Sequence, residues 1–124
     1  MCGIFGIVLS KYENVYKLVL NGLIQLQNRG YDSAGICCIT DGKFEIHKYA
    51  STPDVIAIDK LLNLNLVSRE DTYIGFGHNR WATHGVKNDT NSHPHISNLN
   101  QLCVLSFLFL FWGMPPFEQK LKGP

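Results

Sequence analysis

Apolar side chains follow a period of two in some stretches of the chain and a helical period in others. Residues 4–9 are a β-prone run broken only by Gly6, which predicts a buried strand beginning almost at the first residue. Val15, Leu18, Val19, Leu23 and Leu26 then recur at helical spacing behind Asn14, a good N-cap, so an amphipathic helix is expected over residues 14–27, ending before Arg29-Gly30. Residues 34–39, the dipeptide Asp41-Gly42, and Phe44 and Ile46 alternating with Glu45 and His47 read as a β-hairpin with a tight turn. Thr52-Pro53-Asp54 has the form of a capped helix start with proline at the first helical position, and Val55, Ile58 and Leu62 continue one apolar face. Residues 73–78 are again strand-like. From Arg80 to Asn100 the chain is polar, rich in Asn, His and Gly, and without a period, as expected of a functional loop. Strands and helices mixed in this way predict an α+β fold in layers.

Composition narrows the class. The chain has 124 residues, 45% hydrophobic and 17% charged, which fits one globular domain. Its formal net charge of +1 gives no global field for nucleic acid or an anionic membrane, so specificity must be local. The cysteines, at positions 2, 37, 38 and 103, form neither a CxxC pair nor a regular disulfide framework, which fits a reducing cytoplasm. No export signal is visible, and the apolar run over residues 102–114 is too short for a bilayer core, which takes about 20 residues.

Cys2 is the most informative position. Removal of Met1 would leave a thiol and a free α-amine on one residue. An unperturbed thiol, with a pKa of about 8.5, is mostly protonated at neutral pH, whereas an α-amine of about 7.7–8.0 accepts a proton there. One residue could thus supply nucleophile and general base without a separate histidine. By position alone Cys2 also fits a small core residue. Two clusters add context. Arg29-Gly30-Tyr31-Asp32-Ser33-Ala34-Gly35-Ile36 reads as a helix stop and a sharp turn able to bring backbone close to another segment. Gly77-His78-Asn79-Arg80-Trp81-Ala82-Thr83-His84-Gly85 combines a guanidinium, a hydroxyl, imidazoles and a large aromatic, the groups needed to hold a small carboxylate, with Arg80 the best anchor. Individually, Arg80 fits a solvated charge and Trp81 a core aromatic. His78, His84, His93 and His95 invite a metal reading, but no carboxylate or cysteine stands at a recognised spacing, and no metal is expected. A Gly-x4-Gly-Lys-Ser/Thr phosphate loop, a Rossmann glycine pattern and a Gly-x-Ser-x-Gly elbow are all missing from the sequence.

In order and spacing, Met1-Cys2-Gly3-Ile4, residues 29–36, residues 77–85 and Asn91-Ser92-His93-Pro94-His95 resemble the N-terminal glutaminase domain, a class II glutamine amidotransferase, of the glutamine:fructose-6-phosphate aminotransferases. The likeness covers residues 1–100, the expected domain, and leaves 101–124 as a divergent apolar tail. The related purine-pathway amidophosphoribosyltransferases typically carry Gln where this chain has Tyr31, and Arg-Tyr-Ser-Thr where it has Arg80-Trp81-Ala82-Thr83. The resemblance implies an N-terminal-nucleophile hydrolase fold, an αββα sandwich of which this chain carries the first half. In it the Cys2 thiolate attacks the carboxamide of L-glutamine, forming a glutamyl thioester and releasing ammonia. It further implies that Arg80 pairs with the substrate α-carboxylate, assisted by Thr83 and His84. Trp81 gates the ammonia passage, His93 supports the loop, and Arg29, Gly30 and Asp32 brace the nucleophile's strand. No cofactor is implied, and the partner would be a sugar isomerase domain that this chain lacks.

The family's His-Asn-Gly-Ile motif, whose Asn and Gly form the oxyanion hole, does not occur after Asn100, nor does the later acidic residue that holds the substrate amine. Losing one oxyanion donor costs roughly a hundredfold in turnover, so little glutaminase activity is expected of this chain alone. A catalytically inert fragment with an exposed apolar strip over residues 107–112, the glutaminase domain of another amidotransferase, and a zinc-binding module using the loop histidines are the competing readings.

Overall fold

The computed structural model describes residues 2–66, 71–100 and 103–104. Strand β1 (Gly3–Glu13) leads into helix α1 (Val15–Gln25) and a single 3-10 turn (Gln27–Arg29); the hairpin of β2 (Ser33–Thr40) and β3 (Lys43–Ala50) is followed by α2 (Ala57–Asn63), β4 (Thr72–Arg80), β5 (His95–Ile96) and β6 (Cys103–Val104). The main sheet has the order β1-β4-β2-β3 with every neighbouring pair antiparallel, and β5 pairs antiparallel with β6. The α+β class expected from the sequence is therefore observed, with an antiparallel sheet.

Local chemistry explains most boundaries. The Asn14 side chain accepts the Lys17 N–H at 2.9 Å, satisfying one of the orphan amides that open α1. The hairpin turns at Asp41 and Gly42, both at positive φ (50° and 72°), the conformation that a two-residue turn of right-handed twist requires. The second helix differs from expectation. It begins at Ala57, not at Pro53. Thr52 closes a turn on Val55, its N–H donating to the Val55 carbonyl (2.9 Å) and its Oγ1 accepting the Val55 N–H (3.2 Å). The first helical amide, that of Ala57, donates instead to Ser51 Oγ at 2.8 Å. The apolar face shifts accordingly: Ala57, Ile58 and Leu61 are buried, whereas Val55 and Leu62 are exposed.

Helix α1 packs on one face of the sheet. Val15, Val19 and Leu23 are fully buried, as are Ile36 on β2 and Leu61 on α2. Each such side chain contributes about 1.5–3 kcal/mol relative to exposure. On β4, a Cβ at Gly77 would meet Leu23 and Val19, and Asn79 Nδ2 donates to the Leu23 carbonyl at 2.7 Å, so both positions face the helix. Alternation along the strand then turns His78 and Arg80 to the opposite face. That is the side on which β6 lies, since the Cys103 thiol meets that of Cys37 on β2; this contact and then burial push the Cys37 thiol up, while for Cys103 the same contact, opposed by burial, holds the thiol below the ordinary cysteine range.

Candidate active site

The sequence-predicted residues gather at one end of the sheet. Gly3 pairs with Asn79, which sets Cys2, one residue earlier, level with Arg80; Ser33 stands opposite Arg80 and Ala50 opposite Ser33. Cys2 is half-buried and its Sγ lies 4.0 Å from the Trp81 carbonyl oxygen. Arg80 is buried although charged, at 7% exposure. Its Nη2 donates to the His84 carbonyl, while Nη1 is buried with no hydrogen-bond partner among the described residues. An orphaned guanidinium N–H is costly, and an anionic acceptor would relieve it. Thr83, His84 and Trp81 line the exposed side, with Thr83 Oγ1 3.5 Å from His84 Nδ1. It is the His84 backbone oxygen, not its ring, that meets Arg80.

The residues before β2 hold this end together. A Cβ on Gly30 would lie 2.5 Å from the Arg80 carbonyl carbon and 2.8 Å from Trp81 N, so only glycine permits this approach. Arg29 is exposed and runs beside the start of β1, where a Cβ on Gly3 would come within 3.3 Å of its own Cβ. Asp32 grips the segment twice: its N–H donates to the Arg80 carbonyl (3.1 Å), and its Oδ2 accepts the Ala82 N–H (2.7 Å). Lys87 Nζ completes the group at 2.6 Å from Asp32 Oδ1. Burial raises the Asp32 pKa, but the hydrogen bond from Lys87, the Ala82 N–H and the charges of Lys87 and Arg80 outweigh it, and the carboxyl is held below its usual range.

His93 lies in the loop after β4, against β2. Its ring stacks on His78 at 4.6 Å and meets the His95 ring edge-on at 4.6 Å. The His93 carbonyl occupies the space that a side chain at Gly35 would need, so the glycine lets the loop lie on β2. Burial, followed by the charges of His78, His95, Arg80 and Lys48, pushes the His93 pKa down to about 3. The loop is further fixed by Lys48 Nζ, which donates to the carbonyls of Thr90 (3.2 Å) and Ser92 (3.0 Å), and by Asp89 Oδ1, which accepts the Ala50 N–H at 2.7 Å. Sequence reasoning missed Lys48, Asp89 and Lys87. The Asn88-Asp89 pair carried a usable signal, because such residues close turns on nearby backbone, as Asn88 Oδ1 does on the Asn91 N–H at 2.8 Å. Among the described residues, no group of His, Cys, Asp or Glu is placed to hold a metal ion, and no helix is long and apolar enough to cross a membrane.

No family model matches the chain. Individual proteins do. The glutamine--fructose-6-phosphate aminotransferase (isomerizing) of Staphylococcus aureus strain Mu50 is 44% identical over 123 residues, covering 99% of this chain and 18% of that protein. The protein of the same name from Sulfolobus acidocaldarius is 38% identical over 106 residues, covering 85% and 17%, and that of Mesorhizobium japonicum is 45% identical over 101 residues, covering 79% and 15%. The chain thus spans less than a fifth of the length of these relatives and matches their N-terminal part. Over the residues it spans, it belongs to the glutamine--fructose-6-phosphate aminotransferase family.

Proposed function

We propose that the chain is the first half of an N-terminal-nucleophile αββα sandwich, residues 1–100 supplying the nucleophile and the carboxylate grip of a glutaminase. In this reading the two helices and the main sheet are one α layer and the β layer beneath it, and the separate β5–β6 pair would belong to the second sheet. The reading rests above all on Arg80: a buried guanidinium with an orphaned Nη1, one strand away from Cys2. In this role Arg80 takes the α-carboxylate of L-glutamine, with Thr83 and His84 at the rim and Trp81 beside the exit for ammonia. Arg29, Gly30 and Asp32 brace the strand ends, and His93 supports the loop.

Once Met1 is removed, the Cys2 α-amine accepts the thiol proton as Sγ bonds to the carboxamide carbon. The C–N bond breaks, the same proton leaves with ammonia, and water cleaves the thioester to glutamate. No cofactor enters these steps. In the complete enzyme the ammonia would pass to a sugar isomerase domain acting on fructose 6-phosphate, in the cytoplasm. Without the oxyanion-forming Asn-Gly of the family, this chain should capture an electrophile better than it turns over substrate.

The test is treatment of the purified chain with a diazoketone analogue of glutamine, followed by peptide mass spectrometry. Stoichiometric label on Cys2, lost in Arg80→Met and prevented by excess glutamine, is the expected result. A folded chain with Met1 removed that takes no label defeats the proposal and favours the inert fragment.

A further inference from the structure

We propose that Lys87 is a positioning residue for the glutamine site, acting through Asp32 on the backbone of residues 80–82. The inference rests on the glutaminase reading above for its functional half and on geometry for the rest. Lys87 lies in the polar loop beyond the expected substrate contacts, and its Nζ is 2.6 Å from Asp32 Oδ1. The other carboxylate oxygen of Asp32 accepts the Ala82 N–H at 2.7 Å, and the Asp32 amide donates to the Arg80 carbonyl at 3.1 Å. A single carboxylate residue thus clamps both sides of Trp81, whose carbonyl oxygen is the one Cys2 Sγ approaches. Its far side is anchored too, because the Ser51 N–H donates to the Asp32 carbonyl at 2.9 Å.

The ion pair has a specific consequence. Asp32 can accept the Ala82 N–H strongly only while ionised. The charged groups that act on it are Lys87 from the loop and Arg80 from β4, and Lys87 supplies both a hydrogen bond and a charge. A carboxylate held below its usual range keeps its grip above the ordinary carboxylate pKa and loses it as pH falls through the lowered value. Removing the Lys87 ammonium raises that value and moves the loss of grip to higher pH. Lys87 is 57% exposed and Asp32 21%, so the effect on affinity is that of a screened pair.

The experiment compares the full chain with Lys87→Met and Lys87→Arg. The Asp32 carboxyl is titrated by carbon NMR, the exchange of the Ala82 amide is followed, and diazoketone labelling of Cys2 is measured against reagent concentration and pH. In Lys87→Met the Asp32 midpoint should rise, Ala82 should exchange faster, and half-saturating reagent should increase by about fivefold with the limiting rate little changed. That defect should deepen towards acid and be restored by Lys87→Arg. An unmoved Asp32 midpoint and Ala82 exchange in Lys87→Met overturn the proposal, whatever the labelling does. If the parent chain takes no label while Asp32 and Ala82 respond as expected, the glutamine reading fails and the Lys87–Asp32–Ala82 linkage stands.

Discussion

Ser33 stands directly opposite Arg80 in the β2–β4 ladder, and both contribute a buried polar atom, Ser33 Oγ and Arg80 Nη1, that has no hydrogen-bond partner among the described residues. At 2% exposure the hydroxyl is desolvated and gains nothing in return. Removing such a group is neutral or stabilising. Ser33→Ala should therefore leave the thermal midpoint unchanged or raise it by as much as about 5 °C. A loss of more than about 1 kcal/mol would mean that the hydroxyl is bonded in solution.

The loop histidines make stability depend on pH. His93 is pushed down to about 3 in the folded protein, against about 6.5 for a free imidazole, so below pH 6.5 the unfolded chain binds more protons than the folded one. The contribution is present in full above about pH 6.5. It is lost as pH falls towards 3, at up to about 1.4 kcal/mol per pH unit. His78, His95, Arg80 and Lys48 all act on the ring in this direction. Urea midpoints measured from pH 7.5 to 4 should fall steeply in the parent and more gently in His93→Gln; parallel curves would refute the assignment.

Gly35 carries the backbone of His93 against β2. Gly35→Ala should lower stability by about 1–3 kcal/mol, since a methyl group there meets the His93 carbonyl and the Lys48 side chain. The loop should lift, and the His93 imidazole should titrate nearer to its ordinary range. A variant with parent stability and an unaltered His93 titration would contradict this packing.

Legibility in the sequence followed the source of order. The hairpin could be read because Asp41-Gly42 encodes its own turn, and α1 because Asn14 and the spacing of Val15, Val19 and Leu23 act within a few residues of one another. The second helix was misplaced because Thr52 and Ser51 use the same hydroxyl chemistry to close a turn and to cap from upstream. The stretches holding Asp32 and Arg80 stand out in the sequence as two separate clusters, linked only through the family resemblance, whereas the loop's architecture leaves no such mark. That depends on Lys48 reaching Thr90 and Ser92, and on Asp89 reaching Ala50, contacts some 40 residues apart that leave no periodic trace.

The Asp41-Gly42 turn has a practical consequence. It caps the end of β2 remote from Ser33, so it lies roughly 23 Å along the strand from the row that holds Cys2 and Arg80. Both turn residues are solvent-exposed. In the proposed reaction Cys2 would lead the chain and use a free amine, so an affinity handle or fluorophore is better placed in this turn than at the front of the polypeptide.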